Sequence, residues 1–171
     1  MKRAIVLAIS VILALTMAAP TVLAQSDNGV APGPHPSSGT FTVNPGDRNF
    51  PGTCTFRLQL EVSGKEKRIT QPDGSLIITS PGLDVTATNL DTPENQARFS
   101  IAGTFFETIN PENDEVTTVV TGRNLLFDPD AGIVLLSGNF SFVFDAEGNL
   151  IQSFEDTDGK GQVIDVCALL A

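Results

Sequence analysis

The chain has 171 residues, 41% hydrophobic and 18% charged, with 20 acidic against 10 basic side chains and a formal net charge of −10. One His, two Cys and no Tyr or Trp exclude a His-ligated metal centre, a Ser-His-Asp triad within the folded region and a Cys-rich zinc module. The acidic excess argues against nucleic acid as a partner, because it repels a polyanion.

In chain order, residues 1–24 read as a secretory signal peptide. Lys2 and Arg3 make a positive start, and Ile5 to Ala19 form an apolar stretch of about fifteen residues, short for a membrane span. Val22-Leu23-Ala24 is a small-residue cleavage site before Gln25. The alternative is an uncleaved anchor. No Cys follows the cleavage site and no second apolar stretch reaches spanning length, so the expected product is exported, with no lipid anchor and no membrane span. Loss of Lys2 and Arg3 leaves 8 basic against 20 acidic side chains, a net charge near −12, which repels anionic membrane surfaces.

Residues 25–51 carry Pro32, Pro34, Pro36, Pro45 and Pro51 with Gly29, Gly33, Gly39 and Gly46. Such a stretch buries too little apolar surface to offset its ordering entropy. It is expected to be a flexible leader, with His35 between two prolines and unsuited to catalysis. The folded domain is then 52–171. Cys54 opens it and Cys167 nearly closes it; in an oxidising compartment the two should pair, joining the first strand to the last.

From Cys54 onward no amphipathic helix stands out. Strand-like runs cover about 54–62, 67–71, 75–79, 83–90, 96–109, 115–127, 133–144, 149–154 and 162–169. Breaks such as Ser63-Gly64, Pro72-Asp73-Gly74, Pro81-Gly82 and Asp128-Pro129-Asp130-Ala131-Gly132 separate them, each with turn chemistry. The connections are too short for crossover helices, so an antiparallel meander follows. With Phe127 opposite Ile133 and Ile109 opposite Val116, Gly103, Gly122 and Gly138 line up across three strands; the alternative, a four-residue loop at Asp-Pro-Asp-Ala-Gly, shifts the pairing there by one. A repeated mid-strand glycine marks a bend or a close approach. The expected fold is therefore all-β: a meander of eight or nine strands closed into a small barrel, with a two-sheet sandwich as the alternative.

The same register puts Phe99, Ile101, Phe105, Val120, Leu126, Val134, Leu136, Phe140, Phe142 and Phe144 on one face, opposite a face of Ser, Thr, Asn and Arg123. Three polar residues interrupt the apolar face: Glu107, opposite Thr118 and next to Phe142, and Asn124, opposite Leu136. A carboxyl among apolar groups has its charged form disfavoured and suits acid or base work; a strand-end glutamate that simply reaches water is the plain alternative. Asn124 would orient a ligand carbonyl or serve as a satisfied core amide. Phe105, Phe140 and Phe142 would enclose an apolar ligand or simply fill a core.

Other signals are weaker. Asp156-Thr157-Asp158-Gly159 partly matches a calcium loop, but Phe154 stands at the first ligand position. Arg123 is a lone mid-strand cation, an outward ion pair or a carboxylate anchor. Asn139-Phe140-Ser141 matches a glycosylation sequon.

At Thr121-Gly122-Arg123-Asn124-Leu125-Leu126-Phe127-Asp128-Pro129, and at the ending Gly161 to Leu170, the chain resembles small exported bacterial proteins of unknown function. The likeness spans most of 54–171 and implies no known activity. The meander with central glycines is also loosely similar to allene-oxide-cyclase and dirigent barrels, at the level of fold, which carries no function by itself. The expected role is non-enzymatic binding of a small apolar or amphipathic ligand, without a cofactor, by Glu107, Thr118, Asn124, Phe105, Phe140 and Phe142. A barrel-type cyclase or lyase using Glu107 as acid or base is one alternative; an acidic, calcium-dependent surface module is another.

Overall fold

A computed structural model describes residues 33–47, 50, 52–128, 131–156 and 159–171. The expected signal peptide and residues 25–32 lie outside them. Ten strands run β1 (His35–Val43), β2 (Leu58–Thr70), β3 (Leu76–Thr79), β4 (Asp84–Asn89), β5 (Gln96–Ser100), β6 (Gly103–Ile109), β7 (Val116–Asp128), β8 (Gly132–Phe144), β9 (Leu150–Gln152) and β10 (Lys160–Asp165). A 3₁₀ turn covers Phe154–Asp156 and a helical turn, α1, covers Val166–Leu170.

All pairings are antiparallel. β4 and β3 run end to end along β2, pairing with Leu58–Ser63 and Lys67–Thr70. β5 and β6 follow in the same way along β4 and β3. β7 then pairs with β6, and β8 pairs with β7 along its whole length. The expected register holds: Phe127 faces Ile133, Ile109 faces Val116, and Gly103, Gly122 and Gly138 form one row. Gly161 of β10 extends that row to a fourth strand.

The row is a corner. Gly122 and Gly138 have φ of 78° and 150°, values that side chains resist. A Cβ on Gly138 would fall against the Lys160 carbonyl oxygen, and one on Gly103 against the Asn124 side chain. Beyond the corner β5 pairs with β4 alone, so the sheet divides into two leaves, β1-β2-β4-β5 and β7-β8-β10. Leu58, Leu60, Val85 and Phe99 of one leaf pack in a single cluster with Leu125, Phe127, Ile133 and Leu135 of the other, closed by Val166 and Leu170 of α1. A second cluster, with Ile78, Phe105, Val120, Leu126, Leu136, Phe140, Phe142 and Phe144, fills the opposite face of β7 and β8.

Several expectations are corrected. The sheet does not close into a barrel; its ends are separate strands, and the sandwich alternative fits the two leaves. Beyond the corner β7 and β8 are buried on both faces, because each face meets its own cluster. Phe99 and Ile101 join the first cluster, not the one holding Phe105, because the strand breaks at Ile101-Ala102. The flexible leader is revised over 35–43: Thr40-Phe41-Thr42-Val43 alternates as a strand should, Val43 is 1% exposed, and all nine residues pair with β2. Ser63-Gly64 is not a turn; β2 continues through it, bending at Gly64 (φ 147°), where a Cβ would strike the Gly82–Leu83 backbone.

The last expected strand, 162–169, stops at Asp165, whose carboxylate accepts from the Ala168 amide at 3.0 Å and caps α1. The expected disulfide forms, Cα to Cα 5.2 Å, but it ties the segment before β2 to α1 and not first strand to last. Asn89 Nδ2 reinforces that tie by donating to the Leu170 carbonyl at 2.9 Å. Among the described residues no helix is long and apolar enough to cross a membrane.

Candidate functional site

On the second-cluster face, one row crosses five strands from Thr70 through Leu76 and Glu107 to Thr118 and Phe142. The neighbouring row runs from Arg68 through Ile78, Phe105 and Val120 to Phe140. Alternation brings these side chains to one face. Glu107 and Thr118 are therefore direct cross-strand neighbours within an apolar field.

Thr118 is 2% exposed and its Oγ1 has no hydrogen-bond partner among the described residues. Glu107 is half-buried, and its Oε1 is likewise buried and unpartnered. Arg68 donates from Nε to Glu66 Oε1 at 2.8 Å, while its buried Nη2 is unpartnered. Burial holds the Glu107 carboxyl above its ordinary value of 4.5, opposed by the charge of Arg68. Three polar atoms on adjoining rows thus offer one cationic donor, one hydroxyl and one carboxyl whose proton is retained more readily than usual. Unpaired buried groups of this kind each cost about 1–3 kcal/mol.

The rim beside Glu107 is apolar. Ile109, Val116, Phe144 and Leu150 form the outermost row, and Ile109 is exposed. A molecule reaching Glu107 from this side crosses hydrocarbon first.

The other sequence candidates fall in different settings. Phe105, Phe140 and Phe142 are buried in the second cluster. Phe154, from the 3₁₀ turn, meets Phe140 and Phe142 edge-on at 6.0 and 5.9 Å between ring centres. Asn124 is 3% exposed, and its amide nitrogen donates to the Thr121 carbonyl at 3.0 Å, across the Gly122 corner. It clamps the bend, away from the Glu107 row. Arg123 has no carboxylate partner among the described residues, where the ion pairs are Arg57–Asp91, Arg68–Glu66 and Arg98–Asp84. Thr157 and Asp158 of the calcium-like loop lie outside the described residues. Among those described, no three His, Cys, Asp or Glu side chains gather as a metal set. An open recess of about 240 Å³ lies at the corner, between Thr79, Ser80 and Pro81 and the strand residues Thr104, Thr121 and Gly122.

Glu66 and Arg68 did not emerge from sequence reading. Their signal was parity: they continue the Leu58-Leu60-Val62 alternation, which a break at Ser63-Gly64 conceals. Compared with protein-family models, curated proteins and solved structures, the chain gives no significant match.

Proposed function

We propose that this is an exported binding protein for a small amphipathic molecule, seated by its polar end at Glu107, Thr118 and Arg68. The observation that supports it is the convergence of three buried, unpartnered polar atoms on one otherwise apolar face. A ligand hydroxyl, carbonyl or carboxyl would accept from Arg68 Nη2 and pair with Thr118 Oγ1 and the Glu107 carboxyl. Its hydrocarbon part would lie along the Ile109–Val116–Leu150 rim. The Lys2-Arg3 start, the apolar stretch that follows it and the Cys54–Cys167 bridge support export.

The test is thermal melting with medium-chain fatty acids and fatty alcohols. Specific binding raises the melting temperature with ligand concentration, and Thr118→Val with Glu107→Gln removes the rise. Equal melting curves with and without either class of probe contradict the reading.

The raised Glu107 favours a second reading, acid or base catalysis of a cyclase or lyase type. There Glu107→Gln retains an unconverted molecule that differs in structure from the one recovered with the unaltered protein. Identical recovered molecules reject catalysis.

A further inference from the structure

We propose that β10 is a self-association edge, where a second copy of this chain adds its own β10 in antiparallel pairing. β9 and β10 lie end to end along the side of β8 that β7 does not occupy. Among the described residues, nothing pairs with their outer side. A free edge carries unpaired N–H and C=O groups, and proteins usually blunt it with proline or charge. Of the other free edges, those of β1 and β5 are blunted in that way, and the stretch of β7 beyond the corner, paired with β8 alone, is buried. β1 carries Pro36, and the five-residue β5 has Arg98 at its centre, ion-paired with Asp84 at 2.7 Å. β10 carries charge only at its two ends, Lys160 and Asp165; its middle, Gly161-Gln162-Val163-Ile164, has neither proline nor charge.

Apolar exposure gathers on the same edge. Of the four large hydrophobic side chains exposed among the described residues, three are Ile151 of β9 at 53%, Val163 of β10 at 46% and Leu169 of α1 at 54%. A single exposed apolar residue needs no explanation, but Ile151 and Val163 stand on the two strands of one unpaired edge, and Leu169 follows in the helical turn after β10.

The charges select a second copy as the occupant. β10 begins at Lys160 and ends at Asp165. Antiparallel pairing of two copies lays the basic start of each against the acidic end of the other. A two-fold axis through Val163 sets the two Val163 side chains face to face and puts Asp165 opposite Gly161 of the second copy, one residue from its Lys160. Such a closed, isologous contact does not propagate into fibres. One strand pair is smaller than a standard interface, so the dimer is weak and concentration-dependent.

The test is sedimentation equilibrium of the disulfide-bonded protein over about a hundredfold range of concentration, with hydrogen exchange read on residues 160–165. The expected result is a monomer–dimer equilibrium in which the 161–164 amides gain protection as concentration rises. Val163→Lys should give a monomer at every concentration. Lys160→Glu, at the exposed end of the strand, should weaken the dimer at low salt and less so at high salt, and it carries the test if Val163→Lys fails to fold. A wild-type protein that stays monomeric overturns the proposal, even if a foreign strand binds the edge. So does a dimer that survives both substitutions or leaves 161–164 unprotected.

Discussion

Glu107 on β6 stands directly across from Thr118 on β7, and neither Glu107 Oε1 nor Thr118 Oγ1 has a hydrogen-bond partner among the described residues. Both occupy positions that the strand alternation would give to hydrocarbon. Each therefore opposes folding unless something else engages it, and that gives the pair measurable signatures.

The first concerns pH. Burial raises Glu107 above its ordinary value of 4.5, so the folded state holds the proton to a higher pH than the unfolded state. Between the two values the folded state binds more protons, and stability falls as pH rises. Glu107→Gln should raise the melting temperature at neutral pH, and the gap should close below the unfolded value. A gap of constant size from pH 4 to 7 would show that the carboxyl is not the cause.

The second concerns Thr118. Valine has nearly the same shape and no hydroxyl to strand. Thr118→Val should stabilise the free protein by about 1 kcal/mol, read as a shift in urea midpoint with unchanged slope. Destabilisation would mean that the hydroxyl already has a partner.

The corner supplies a third prediction. Gly138→Ala must place a side chain at φ 150° and against the Lys160 carbonyl oxygen; its cost should be about 3 kcal/mol or more. Gly148 also has positive φ, at 81°, but its Cβ position is open. Gly148→Ala should cost only about 1–2 kcal/mol. Equal losses in denaturant unfolding would show that close approach is not what the row requires.

The bridge is the fourth. Cys54 and Cys167 are 113 residues apart, and chain-entropy reasoning assigns a loop that long roughly 4–5 kcal/mol. The Cys54→Ser, Cys167→Ser double variant should lose that much, and hydrogen exchange should show α1 opening first. A loss below about 1 kcal/mol would assign the hold on α1 to Val166, Leu170 and the Asn89 contact alone.

Where the chain is locally determined, the fold was legible. Asp128 accepts from the Ala131 amide at 2.8 Å, and that turn settles the β7–β8 register from which the glycine row follows. Glu107, Thr118 and Phe142 were placed on one face by the same pairing. What long-range packing decides was hidden. β1 looks like a disordered leader until β2 offers it an edge, and α1 looks like a strand until Asp165 caps it. The separation of the leaves depends on how far the corner bends, which composition does not record. Arg68 and Glu66 stay hidden in the sequence because Ser63-Gly64 reads as a turn, whereas Gly64 is a bend within one strand.

Native mass spectrometry of the protein recovered from its own culture medium, alongside the Glu107→Gln, Thr118→Val double variant, addresses the binding reading most directly. The expected spectrum shows the unaltered protein carrying a small amphipathic molecule that the folded double variant lacks. A bare protein in both preparations, or the same adduct on both, would contradict it.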